Sequence, residues 1–232
     1  MIGILGGMGT QAGLDLCNKI AMLNRGKSDQ EYPKFILYNK SDTPRRPENL
    51  KKYYNVLSEL VKGCKLLEKN KCKFIVMPCN TAHYWHEDIQ KKIKIPLLSM
   101  PKEVYLYTKK KCKKNSKIGL LSTEATVNTK VYSKYFDKYF RLVHPSISIQ
   151  KKYVNPAIKL VKQGEVKRAS KIIQPAINYL KKLNCKKIIL GCTELPIAVF
   201  AFKSYKFAKG SKIFIDPNLL MAEISLKKYS KK

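Results

Sequence analysis

The sequence predicts an α/β fold of two similar halves, each built on a mainly parallel sheet. Three observations lead there. Short apolar runs alternate with longer amphipathic ones. One strand ending in cysteine occurs twice. A second strand repeats at nearly the same offset.

Taken in order, Ile2 to Leu5, Phe35 to Tyr38, Phe74 to Met77, Leu97 to Leu98, Ile118 to Leu121, Ile188 to Leu190 and Ile213 to Ile215 read as buried strands. Each is a short continuous apolar run, as expected of a strand covered on both faces. Helical patterns lie between them. Leu50, Leu57, Leu60, Val61, Cys64 and Leu67 fall on one stripe, and Val166, Ile173, Ile177 and Leu180 on another. Strands alternating with helices imply a parallel sheet with helices on both sides. Ligands of such sheets sit at the carboxyl ends of the strands.

The repeat aligns Lys71-Cys-Lys-Phe-Ile-Val-Met-Pro-Cys79 with Asn184-Cys-Lys-Lys-Ile-Ile-Leu-Gly-Cys192, and Ile2-Gly-Ile-Leu-Gly6 with Ile118-Gly-Leu-Leu-Ser122. The offsets are 113 and 116 residues, a difference of one small loop insertion. The expected division is a first α/β domain over 1–98 and a second over 99–208, with 209–232 returning to the first. Pseudo-symmetry would place Cys79 and Cys192 at equivalent strand ends. If the halves face each other, the two thiols converge on one cleft.

Composition narrows the class. The 232 residues carry a formal net charge of +31, and 44% are hydrophobic, enough for a core. Nearly all the positive charge is lysine. Only Arg25, Arg45, Arg46, Arg141 and Arg168 are arginines. Base edges and phosphates are read preferentially by arginine forks, and the lysines are scattered along the chain. The charge is therefore read as a solvated coat, with weak nonspecific polyanion binding at low salt and no specific nucleic-acid partner. No run reaches the ~18 apolar residues of a membrane span. The apolar start lacks the basic region of a signal peptide. Seven cysteines, an odd number without a CxxC pair, argue against a disulfide scaffold or a zinc finger. They fit reduced thiols in the cytoplasm.

Cys79 and Cys192 stand apart from the others. Each ends a strand and precedes residues suited to a helix start: Asn80 and Thr81 in one half, Thr193 and Glu194 in the other. The free N–H groups of a helix start attract anions. They would favour a thiolate or hold a substrate carboxylate. Cys17, Cys64 and Cys72 read as core residues, and Cys112 as incidental. Two facing thiols suit racemisation, which needs a base on one face of a carbon and an acid on the other. Each sulfur should come within ~3.5 Å of that carbon, so the sulfurs would lie roughly 7 Å apart. His83 and His86, at i and i+3, are a poor metal pair, and His83 is expected to support Cys79 from behind.

Ile4-Leu-Gly-Gly-Met-Gly9, Met77-Pro-Cys-Asn-Thr-Ala-His83 and Gly191-Cys-Thr-Glu194 together resemble the signature segments of the aspartate/glutamate racemase family. The likeness is nearest to its aspartate racemases. It spans nearly the whole chain, since Asp216-Pro217 also looks like a late element of that family. The resemblance implies two Rossmann-like domains related by pseudo-twofold symmetry, with the active site in the cleft between them. It implies a homodimer, and neither pyridoxal phosphate nor a metal. Cys79 and Cys192 take the places of the catalytic acid/base pair. Asn80, Thr81, Ala82 and Thr193 would bind substrate near its α-carboxylate, with help from Thr123 and Thr126, and Met8 would line the pocket. Pro44-Arg45-Arg46 stands where the family reads Pro-Asp-Arg, and Leu160-Val-Lys-Gln-Gly164 resembles the segment with a pocket lysine. Arg46 and Lys162 would then bind a side-chain carboxylate, with Arg45 as the other candidate.

The sequence departs from the family pattern at Thr10, Gly13, Arg45 and Ala125, which puts substrate preference and turn geometry in question more than reaction class. The resulting expectation is a cofactor-independent racemase interconverting L- and D-aspartate. A glutamate or broad-specificity racemase stays open, as does a decarboxylase or isomerase of small diacids. So does a non-catalytic protein that binds amino acids or polyanions. The absence of a His-Tyr-Pro continuation after Gly191-Cys-Thr-Glu194 favours aspartate over glutamate.

Overall fold

The computed structural model describes residues 1–24, 26, 28–45, 53–201 and 210–230. Contacts divide the chain into unit 1, Met1–Met100 with Asn218–Lys232, and unit 2, Pro101–Pro217.

Unit 1 holds three parallel strands, β1 (Ile2–Gly6), β2 (Phe35–Asn39) and β3 (Phe74–Val76), in the order β2-β1-β3. β1 is buried along its whole length, as a central parallel strand must be. Helices α1 (Thr10–Asn24) and α2 (Tyr53–Lys69) pack against it. A Cβ placed on Gly3 would press on Leu67 of α2, and one on Gly6 would meet the backbone of Gly13 in α1. Residues three apart on a strand point to opposite faces, so α1 and α2 cover opposite sides of the sheet. The expected strand at Leu97 and Leu98 is a single parallel bridge from Leu97 to Ile75, one place beyond β3. The last helix, Pro217–Ser230, belongs to this unit. Asn218 fastens it, donating to the Ala12 carbonyl at 3.1 Å and to Asp15 Oδ2 at 2.8 Å.

Unit 2 holds β4 (Lys117–Leu121), β5 (Arg141–Val143), β6 (Lys187–Leu190) and β7 (Phe214–Ile215), all parallel, in the order β5-β4-β6-β7. β5 was not anticipated. It is only three residues long and begins with an exposed arginine, so it offers no apolar run to read. The stripe from Val166 to Leu180 is two helices, Val166–Ile172 and Gln174–Lys182, not one. Pro175, near the start of the second, has no N–H for the preceding turn. In the first stripe, Leu50 lies outside the described residues.

The internal repeat extends to backbone detail. Ile2 pairs with Phe74, and at the same offsets Ile118 pairs with Lys187. Lys71 and Asn184 both adopt φ 59°, just past the ends of their helices. The N–H of Cys72 then donates to the Leu67 carbonyl, and that of Cys185 to Leu180, each at 3.2 Å. The same two leucines press on equivalent glycines, Gly3 and Gly119. Both halves thus end a helix, turn and enter a strand in one way, and each strand then runs on to its cysteine.

Candidate active site

In unit 1 the chain leaves β3 through Met77 and Pro78. The Cys79 N–H donates to the Met77 carbonyl at 2.8 Å. A 3-10 turn, Thr81–Trp85, follows and runs into a short helix, His86–Gln90. Cys79, only 6% exposed, shares one core cluster with Met8 and Ala82. Asn80 and Thr81 are buried beside it in sequence. Asn80 stands at the start of the turn in helical conformation and makes no side-chain cap. It was expected as a capping residue, but a cap needs extended backbone.

His83 supports Cys79 through the main chain. Its Nε2 accepts from the Met100 N–H at 3.1 Å, so the ring proton sits on Nδ1 and donates to the Cys79 carbonyl at 2.8 Å. The Leu98 carbonyl, 3.3 Å from Nε2, then faces an acceptor and gains no hydrogen bond. His86 points elsewhere, to the Leu97 carbonyl at 2.8 Å.

The glycine turn before Met8 rests on Lys40. Gly7 has φ +87°, and a Cβ there would lie 2.2 Å from the Lys40 carbonyl carbon, so only glycine fits. Lys40 is 6% exposed, and its ammonium lies 2.7 Å from Glu59 and 2.8 Å from Asp42. Hydrogen bonds from Lys40 and Lys62 hold the Glu59 carboxyl down at about 2. This anchor fixes the chain that leads from β2 to Arg45, which is exposed. Arg46 lies outside the described residues.

In unit 2, Cys192 follows β6 and is 8% exposed. Its Sγ–H donates to Glu194 Oε2 at 2.9 Å. Glu194 is 3% exposed, and its other oxygen lies 3.7 Å from Lys162 Nζ. Burial first, then the charge and hydrogen bond of Glu194, push the Cys192 thiol well up, while Lys162 pulls the other way. Burial and Glu194 thus oppose the thiolate that a helix start would favour. The helix Glu194–Phe200 opens with Thr193 in helical conformation and without a side-chain cap. A buried carboxylate outweighs so short a dipole.

Thr123, at the end of β4, does cap. Its Oγ1 accepts from the Thr126 N–H at 3.2 Å and lies 3.0 Å from Thr126 Oγ1. Gln150 holds this turn from a stretch of π-helix, Gln150–Val154, donating to the Ser122 carbonyl at 2.9 Å. Lys162, at the end of the helix Asn155–Lys162, is half exposed. Sequence reasoning missed two residues here. Glu194 was read only as a helix-start residue, although its place two positions after Cys192 was the available signal. Tyr132, fully buried, is held protonated by burial and by the nearby Cys192 and Asp216; nothing in its sequence surroundings marks it.

Of the remaining thiols, Cys64, Cys72 and Cys185 are core, whereas Cys17, expected there too, and Cys112 are only partly buried. Burial raises Cys64 to about 12 and Cys17 to about 11. Among the described residues, no three His, Cys, Asp or Glu side chains gather as ligands for a metal ion. No helix among them is long and apolar enough to cross a membrane.

The family described as Asp/Glu/Hydantoin racemase matches residues 5–222. The broad-specificity amino-acid racemase RacX of Bacillus subtilis is 28% identical over 202 residues, 84% of this chain and 86% of that protein. A glutamate racemase of Lysinibacillus sphaericus is 29% identical over 168 residues, 71% of this chain and 62% of that one. Among solved structures, Picrophilus torridus aspartate racemase superposes with a TM-score of 0.82 at 30% identity, over 100% of this chain and 94% of that chain.

Proposed function

Because this chain belongs to the Asp/Glu/Hydantoin racemase family, we propose that it interconverts L- and D-aspartate without a cofactor, using Cys79 and Cys192 as the acid/base pair. The observation that carries this reading is the repeat. Both cysteines lie five residues past equivalently paired positions, Phe74 and Lys187, on the third strand of each unit. Both are buried free thiols. Cys72 and Cys185 recur as well, but they precede their strands; Cys79 and Cys192 follow the carboxyl ends, where ligands of parallel sheets bind.

The chemistry needs one sulfur on each side of the α-carbon. One thiolate removes the α-proton, and the opposite thiol returns one. For the other enantiomer the roles exchange. Cys192, kept protonated by burial and Glu194, is the resting thiol. Asn80, Thr81, Ala82, Thr123 and Thr193 are assigned to the α-carboxylate, Met8 to the pocket wall, and Arg46 and Lys162 to the side-chain carboxylate. N–H groups and cations around the carboxylates would stabilise the carbanion as it forms. The full-length likeness to an aspartate racemase supports aspartate. The likeness to RacX favours a second reading, a broader amino-acid specificity. The seven free thiols suit a reducing cytoplasm, and the active form is read as a homodimer.

Proton NMR of L-aspartate with the reduced protein in heavy water tests the reaction. The α-proton signal should disappear as D-aspartate accumulates, and Cys79→Ser and Cys192→Ser should each abolish racemisation. Full activity in either variant would remove that cysteine from the mechanism. Exchange with several amino acids but no preference for aspartate would support the broader specificity.

A further inference from the structure

We propose that Gln150 and Asn155 are positioning residues that set the turn at 122–126 for an α-carboxylate, acting through the Ser122 carbonyl and the Glu124 side chain. This rests on the assignment of Thr123 to the α-carboxylate only for its use in binding substrate. The clamp itself stands on the geometry of unit 2.

Three side chains and one carbonyl form a single chain of hydrogen bonds. Gln150 Nε2 donates to the Ser122 carbonyl at 2.9 Å and to Asn155 Oδ1 at 2.7 Å. Asn155 Nδ2 donates in turn to Glu124 Oε1 at 2.9 Å. The chain is therefore gripped on both sides of Thr123, at the residue before it and at the residue after it. Both N–H groups of the Gln150 amide are spent, and Asn155 uses its oxygen on one side and its nitrogen on the other. Each amide thus has only one orientation that fits. Gln150 is 9% exposed and Ser122 1%, so losing either partner would leave a buried group unpaired. Inside this grip Thr123 closes the turn, its Oγ1 accepting from the Thr126 N–H and lying 3.0 Å from Thr126 Oγ1.

The π-helical stretch is what brings the two amides together. In an α-helix, residues five apart point about 140° away from each other. Here the Asn155 N–H donates to the Gln150 carbonyl, five residues back, which stacks the two positions on one face. Such widened turns are rare and are frequent at functional sites. The clamp also answers an electrostatic problem. Glu124 opens the helix Glu124–Asn128 beside Thr123 and Thr126. A carboxylate left to itself there would repel a bound carboxylate, whereas Asn155 holds this one in a hydrogen bond. Removing the Asn155 donor would release that charge together with the turn.

Asn155→Asp turns the donor into an oxygen that faces the Glu124 carboxylate, at nearly unchanged size. Hydrogen exchange of the peptide covering 122–128, read by mass spectrometry without ligand, should become faster, while that of the turn carrying Cys79 stays as in the wild type. KM for L-aspartate should rise roughly tenfold with kcat held within about threefold, because the α-carboxylate is bound alike in the ground and transition states. Adding Glu124→Gln to Asn155→Asp moves the donor to the other partner and keeps the net charge of the wild type. The pair should restore both the exchange rate and KM. Gln150→Met removes both donors and should loosen the same peptide, and there Glu124→Gln should bring no rescue. Wild-type exchange and KM in Asn155→Asp, a fall in kcat at constant KM, or failure of the paired substitution to restore KM would overturn the assignment. If neither the wild type nor any variant racemises an amino acid, while exchange loosens and is restored as stated, the clamp holds and only the reading of its turn as a carboxylate site falls.

Discussion

Cys64 lies in an apolar cluster and Cys192 lies against a carboxylate. Both thiols are raised by burial first; the charge of Glu68 adds to it at Cys64, and the charge and hydrogen bond of Glu194 add to it at Cys192. The first arrangement makes an inert thiol and the second a usable acid. At Cys79 the neighbour that matters is His83, and it acts on the backbone. Its N–H and its lone pair are both engaged, on the Cys79 carbonyl and the Met100 N–H. His83→Phe would leave both buried groups without a partner, at roughly 1–3 kcal/mol each. The expected result is a stability, measured by urea unfolding, lower by at least about 2 kcal/mol, with racemisation reduced because the turn carrying Cys79 has lost its tie. Wild-type stability in this variant would mean that the histidine does not hold the turn.

The helix-to-strand turns are where the two halves match most closely in backbone, and also where they differ in chemistry. Asn184 suits φ 59°, since its short polar side chain tolerates the left-handed region. Lys71 has the same φ without that tolerance. Lys71 is exposed, so Lys71→Gly should stabilise by about 0.5–1 kcal/mol, measured by urea unfolding, whereas Asn184→Gly should gain less. The strands themselves were legible because buried parallel strands are continuous apolar runs: Phe74–Val76 and Lys187–Leu190 stand within a residue of expectation. Arg141–Val143 was not legible, because an edge strand of three residues needs no apolar face. Nor was the break between Ile172 and Gln174, because the apolar stripe runs unbroken across it and only Pro175 marks it. In the site, the motif identified Cys192, but the direction in which Glu194 points depends on the backbone after β6. No spacing rule reveals that a residue two positions on turns back to the sulfur.

At the scale of the whole molecule the charge dominates. Forty-seven cations face sixteen carboxylates, so even complete pairing would leave most lysines opposed only by one another. The ion pairs that do form use acids efficiently: Glu59 serves both Lys40 and Lys62, and Asp15 serves Lys19 while accepting from Asn218. Adding salt weakens such pairs, but a surface pair is worth little, about 0–1 kcal/mol. Salt also screens the repulsion among the unmatched lysines, which acts over the whole surface. Between about 0.01 M and 0.15 M ionic strength the Debye length falls from roughly 30 Å to 8 Å. Repulsion should therefore lose more than attraction, and the thermal midpoint should rise over that range. Over the same range, retention on an anionic resin should fall steeply, as binding driven by released counterions does. A midpoint that fell with salt would show that the few shared carboxylates, rather than the lysine excess, set the electrostatic contribution to stability.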